Sequence, residues 1–241
     1  MAKLHVWHRY VGITAAFFVI ILSVTGLALN FNEQLRLDTT PIDNNWLLNH
    51  YSIGLFPVTS FEVDSKIVSK ASDFVYINGQ YAITHTDKLV GAIIVDDTLV
   101  LATSGNLLLF DQENELIDEI GKLTGLPEKP LGVSLTQNGE PVLRGVNTYW
   151  KGSHSLDSWQ PLEGPHPKWT APIETPDNIN SVIQEHARSN EINLERVMLD
   201  LHSGRLFGDW GENIMSISAI LLIFLSITGI IIWSRKKPSG Q

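Results

Sequence analysis

Two uninterrupted apolar runs dominate the pattern of this chain. Val11–Leu29 and Ile214–Trp233 hold no charged residue, and 14 of 19 and 15 of 20 of their positions are apolar. At 1.5 Å per helical residue, about 20 such residues match the roughly 30 Å hydrocarbon core of a bilayer. Both runs are therefore predicted to be transmembrane helices. The first exceeds the roughly 7–15-residue core of a cleavable signal peptide and ends in no A-x-A site, so it is expected to stay as an anchor. The spans share an element, Ser23-Val-Thr-Gly-Leu27 in one and Ser226-Ile-Thr-Gly-Ile230 in the other. Small residues let helix backbones approach, so the element reads as helix–helix packing. His8, Gly12, Ala15, Val19, Ser23 and Gly26 then form one small-sided stripe.

Between the spans, β-branched runs alternate with turn signals. Phe74–Ile77, Asn78-Gly79 and Tyr81–Thr84 predict a hairpin with a type I′ turn. Leu89–Val95, Asp96-Asp97 and Thr98–Ala102 predict another, with the acidic pair as turn former rather than metal site. Asn106–Phe110, Gly132–Thr136 and Pro141–Gly145 continue the strands. Asp118–Leu123 is expected as a short helix and residues 146–177, with five prolines, as long loops. Asp177 or Asn180 is expected to cap a helix over Val182–Ser189, followed by a strand over Glu195–Asp200.

Charge sets the orientation. All 26 acidic residues lie between the spans, while Lys3, Arg9, Arg235, Lys236 and Lys237 lie outside them. The middle, residues 30–213, therefore carries 12 basic against 26 acidic residues, a net charge of −14. Basic residues flank the cytoplasmic ends of spans, so both termini are placed in the cytoplasm and the middle in the periplasm. The expected architecture is a membrane protein whose two transmembrane α-helices flank a β-rich (α+β) extracytoplasmic domain. Residues 1–29 form the N-terminus and first span, 30–212 the outer domain, and 213–241 the second span and basic tail. An acidic body repels phosphate, which excludes nucleic acid as a partner. The absence of cysteine excludes iron–sulfur clusters, covalently attached haem and thiolate zinc sites. With no dinucleotide fingerprint or phosphate loop, any nicotinamide or flavin donor sits elsewhere.

The eight histidines are the main redox-relevant groups. His5 and His8 share one face at the head of the first helix, so they cannot clasp one haem from opposite sides. A haem with two imidazoles at this end needs a second chain, most simply His8 from each protomer of a homodimer with a four-helix membrane bundle. Gly12 leaves room for a porphyrin edge, and Arg9 and Arg235 are candidate propionate partners. The plain alternative is that His5 and His8 sit among headgroups. His202, near Asp200, Asp209 and Glu212, is either a turn histidine, a second haem ligand, or a ligand of substrate iron at a carboxylate-rich site. His50, His85, His154, His166 and His186 read as surface residues. His154, His166, Trp159 and Trp169 are a weaker candidate for a pocket edge.

Two motifs carry a resemblance. Leu4-His-Val-Trp-His-Arg-Tyr-Val-Gly12 precedes a span ending in Thr25-Gly26. Met198-Leu-Asp-Leu-His-Ser-Gly-Arg-Leu-Phe-Gly208 precedes one ending in Thr228-Gly-Ile-Ile-Ile-Trp233 and a basic tail. Together they resemble the opening and closing signatures of the PepSY-associated transmembrane family, over roughly the first 30 and last 60 residues. The resemblance implies an inner-membrane protein with haem b that passes electrons from the cytoplasmic side or quinone pool to periplasmic Fe³⁺. It also implies a functional link to a ferrous iron transporter, and makes His8 and His202 the histidines matching the family pattern. The alternative is a membrane-anchored PepSY-like binding or regulatory module without redox activity.

Overall fold

The computed structural model describes residues 2–234, with side chains from residue 6 onward. The chain divides into two compact units, residues 1–47 with 189–241, and residues 48–188. These boundaries lie further inside the chain than the ends of the spans, so segments 30–47 and 189–212 belong with the helices. The helices, in chain order, are α1 (Ala2–Asn30), α2 (Asn32–Leu35), α3 (Asn45–His50), α4 (Asp177–Ser189), α5 (Leu194–Ser203) and α6 (Gly208–Ser234), with a 3₁₀ turn at Arg205–Phe207.

The second unit is built from three antiparallel meanders of four strands. The first holds β1 (Val58–Val63), β2 (Lys66–Ala71), β3 (Phe74–Ile77) and β4 (Gln80–Thr84). The second holds β5 (Leu89–Val95), β6 (Thr98–Thr103), β7 (Leu107–Phe110) and β8 (Leu116–Ile120). The third holds β9 (Gly132–Leu135), β10 (Pro141–Arg144), β11 (Tyr149–Gly152) and β12 (Trp159–Pro161). Successive side chains of a strand point to opposite faces. In β7, Leu108 and Phe110 accordingly pack with Phe61, Val68 and Val75, while Leu107 and Leu109 pack with Val133 and Leu143. The middle sheet is thus covered on both faces, which is why β7 is an unbroken apolar run. Helix α4 closes the first sheet, setting Ile183 and Ala187 against Ala71 and Tyr76.

Both predicted hairpins form. Their central residues, Asn78 and Gly79 (φ 53° and 81°) and Asp96 and Asp97 (φ 46° and 68°), all adopt the left-handed conformation that a type I′ turn requires. Four local expectations are corrected. The segment from Leu116 is strand β8, because it pairs with β7 and satisfies that strand's outer edge. The proline-rich stretch contains β11 and β12, which pair with each other and, through β11, with β10. Glu195–Asp200 lies in helix α5, capped by the Asn193 side chain accepting from the Arg196 N–H. Helix α4 starts at Asp177, with the Pro176 carbonyl accepting from the N–H of Asn180. Strands β1 and β2 occupy a stretch whose polar residues hide the alternation. Ser60 and Ser69 are buried there and hydrogen-bond each other at 2.7 Å.

In the first unit, α1 packs against α5 and α6. Ala15 and Thr25 of α1 and Gly211, Ser218 and Thr228 of α6 are buried, whereas Val19 and Ser23 are exposed. The contact face of α1 therefore departs from the predicted stripe. It runs through His8, Ala15, Leu22, Thr25 and Leu29, a 3.5-residue repeat suited to a left-handed helix pair. Tyr10, Ile13, Phe17, Ile20, Val24 and Leu27 form the exposed face, as lipid contact demands.

Candidate functional site

The first unit places a histidine against a threonine at each end of the α1–α6 pair. Residues 37–42 are sewn to the segment leading into α5: Ile42 N–H donates to the Ser189 carbonyl, Leu194 N–H to Thr40 and Glu195 N–H to Leu37. The Asn193 side chain donates to the Asp38 carbonyl at 2.8 Å. This stitching brings the start of α5 to the chain just beyond α1. At its other end, α5 stops at Gly204, whose φ of 85° turns the chain back into α6. A Cβ on Gly204 would overlap the backbone of Gly211, and one on Gly211 would overlap that of Gly204. Only glycine at both positions allows so tight a corner.

The result sets His202, in the last turn of α5, beside the C-terminal end of α1. Its Nδ1 lies 2.8 Å from Thr25 Oγ1. His8, near the head of α1, has its Nδ1 3.0 Å from Thr228 Oγ1 near the end of α6. Each threonine hydroxyl also donates to the carbonyl four residues back, Thr25 to Ile21 at 2.7 Å and Thr228 to Phe224 at 2.9 Å. The glycine after each threonine lies beside the ring. A Cβ on Gly26 would meet His202 Cε1 at 3.5 Å, and one on Gly229 would meet His8 Cε1 at 3.7 Å. The repeated Thr-Gly element thus does more than pack helices: each copy receives an imidazole from a distant segment. The repetition was the signal in the sequence, but nothing local reveals which histidine meets which copy.

His8 and Thr25 lie seventeen positions apart on one helix, so the two imidazoles lie about 25 Å apart along it. They belong to different ends of the helix pair and cannot share an iron within one chain. Gly12 faces open space, with nothing within 4 Å of a Cβ placed there. Arg9 is exposed. The His5 side chain and Arg235 lie outside the described residues.

Two of the three carboxylates expected around His202 pair with arginines. Asp200 is buried with Oδ2 2.9 Å from Arg196 Nε, and Glu212 accepts from Arg205 Nε at 3.0 Å. Asp209 is exposed at the start of α6. Among the described residues no three His, Asp or Glu side chains are grouped to hold a metal ion. Arginines within two helical turns thus hold Asp200 and Glu212, and Asp209 keeps its exposure at the start of α6.

His186 leaves the surface category, whereas His50, His154 and His166 are exposed as expected. In the second unit His186 stacks on Tyr81 at 5.1 Å, meets Phe74 and Tyr76 edge-on, and places its Nδ1 3.0 Å from Tyr76 Oη. Burial lowers its pKa below the ordinary 6.5 and raises that of Tyr76. His166 and Trp169 come together with Tyr149, whereas Trp159 packs against the core and His154 is exposed.

Residues Val6–Asn30 and Arg205–Ser234 are long and apolar enough to cross a membrane. No curated protein matches the chain. Among solved structures, it is similar to two of the extracellular domain of BT4673 from B. thetaiotaomicron. One describes that protein as a one component system and is 14% identical, with a TM-score of 0.35, covering 45% of this chain and 16% of the other. The other describes a hybrid two component system and is 12% identical, with a TM-score of 0.35, covering 49% and 18%. The chain thus spans less than a fifth of either neighbour's length. The family model for the PepSY-associated TM region matches residues 90–239, or 150 of the 241 residues, and includes His202, Thr228 and Gly229. With a span at each end of a β-sheet-rich domain and this match running from β5 through α6, the chain is a membrane protein of the PepSY-associated TM region family.

Proposed function

We propose that this protein is a haem b-bearing ferric reductase that carries electrons across the membrane to periplasmic Fe³⁺. The observation that carries the reading is the pair of imidazoles, one at each end of the spans, each held through Nδ1 so that Nε2 remains for a ligand. A histidine ligating iron typically donates its other ring N–H to a fixed acceptor. The donor set fits haem: nitrogen ligands, an apolar setting, and open space at Gly12 beside His8.

Among the described residues each chain supplies one threonine-held imidazole per end, so a haem with two axial histidines draws on two chains, His8 with His8 and His202 with His202. This supports a homodimer with a four-helix membrane bundle. Since Asp200 and Glu212 pair with arginines, His202 takes the same role as His8. When bound, the haem supplies a one-electron couple. His8, on the end flanked by Arg9 and the basic tail, serves the side facing a cytoplasmic or quinone donor. By the positive-inside rule, His202 at the opposite end serves the outer side. One electron reduces each Fe³⁺ to Fe²⁺, the form that a ferrous transporter takes up. The −14 charge of the middle segment concentrates cations at the outer face.

The test is an absorption spectrum of the full chain purified from haem-replete cells. A Soret band that shifts on dithionite addition, with Fe³⁺ then reoxidising the protein, supports the reading. A colourless protein overturns it and leaves a membrane-anchored binding module.

A further inference from the structure

We propose that Thr25 and Thr228 are positioning residues that hold His202 and His8 in the Nδ1–H tautomer, leaving Nε2 as the lone-pair nitrogen of both rings. Its consequence for iron ligation rests on the haem reading above; the tautomer itself does not.

Each threonine has a single hydroxyl proton to give. The Oγ1 atoms of Thr25 and Thr228 lie 2.7 and 2.9 Å from the carbonyl oxygens of Ile21 and Phe224. Two oxygens that close repel unless a proton lies between them, so the hydroxyl proton is committed to the helix backbone. The oxygen can then only accept from the ring, and the ring nitrogens sit at 2.8 and 3.0 Å. Nδ1 must therefore carry hydrogen in both histidines. The same conclusion is reached twice, from histidines and threonines in unrelated segments of the chain.

Surroundings favour this device. Thr25 and Thr228 are 3% and 6% exposed, so water does not compete for either bond. A carboxylate in their place would also fix the tautomer, but at the cost of a charge inside an apolar span. Gly26 and Gly229 admit the ring beside the helix at van der Waals distance. Ser23 and Ser226, the other hydroxyls of the repeated element, are exposed and take no part.

The experiment is ¹⁵N-histidine NMR of the full chain in detergent without haem, with haem content measured on a parallel haem-replete preparation. The expected result is protonated Nδ1 and unprotonated Nε2 at His8 and His202. Thr25→Val should move the tautomer ratio of His202 alone toward Nε2–H by about fivefold, the worth of one neutral hydrogen bond. Thr228→Val should do the same to His8 alone, and Thr→Ser at either position should restore the wild-type pattern. Nε2–H in the wild type, or ratios unmoved in folded Val variants, overturns the proposal. Should a Val variant not fold, the wild-type tautomers decide. Locked tautomers in a protein that takes up no haem support the proposal and overturn only the haem reading. Bound haem with the opposite tautomer overturns only the role of the threonines.

Discussion

Thr25 and His202 are 177 positions apart in sequence, yet the imidazole nitrogen of one lies 2.8 Å from the hydroxyl of the other. That contact ties the end of α1 to the last turn of α5, and its counterpart between His8 and Thr228 ties the opposite end of the helix pair. The two contacts give this chain a ring nitrogen at each end of its spans, in a setting dry enough for each hydrogen bond to hold one geometry.

Removing either imidazole should remove one centre and spare the other. His8→Ala and His202→Ala are each expected to lose part of the haem absorbance, and the double variant all of it. Haem content equal to wild type in both single variants would end the assignment. Mass measurement in detergent should show haem only in the dimer, and a haem-loaded monomer would exclude shared ligation.

Gly12 and Gly26 should respond differently to added bulk. Gly12 faces open space, so Gly12→Leu should leave thermal stability of the apo chain within about 0.5 kcal/mol. The same variant should lower haem content if the space receives a porphyrin edge. Gly26→Ala should be tolerated, because its Cβ meets His202 at ordinary contact distance, while Gly26→Val should cost about 1–3 kcal/mol by displacing the ring.

The corner between α5 and α6 should be intolerant of any side chain. Gly204→Ala meets both a left-handed φ of 85° and the backbone of Gly211. A loss of at least about 2 kcal/mol is expected, read as a lower melting temperature in detergent. His202 should lose its contact with Thr25 in the same variant. Wild-type melting would show that the corner has room that the structure does not display.

Stability should depend on pH through His186. Its folded pKa is lowered by burial, so the unfolded chain binds more protons in the window between that lowered value and 6.5. Stability therefore rises with pH through this window and is level above it, as far as this group is concerned. His186→Gln should flatten that part of the profile, followed by unfolding of the full chain in detergent. An unchanged slope in the variant would assign the dependence to another group.

The sequence alone determined the two spans, the β-rich middle and the type I′ hairpins. Each follows from local properties: an apolar run matching bilayer thickness, or two left-handed turn residues between β-branched strands. It also singled out His8, His202 and the repeated Thr-Gly element. Only the tertiary structure decided that these belong together, because hydrogen-bond partners 177 and 220 positions apart are chosen by how α1, α5 and α6 pack. The same packing made Glu195–Asp200 helical, by setting Val197 and Asp200 on one buried face, and drew Asp200 and Glu212 to arginines instead of to His202. Local pattern fixes the period of an element, whereas the partner that satisfies a buried polar group depends on which backbones come close enough to exclude water.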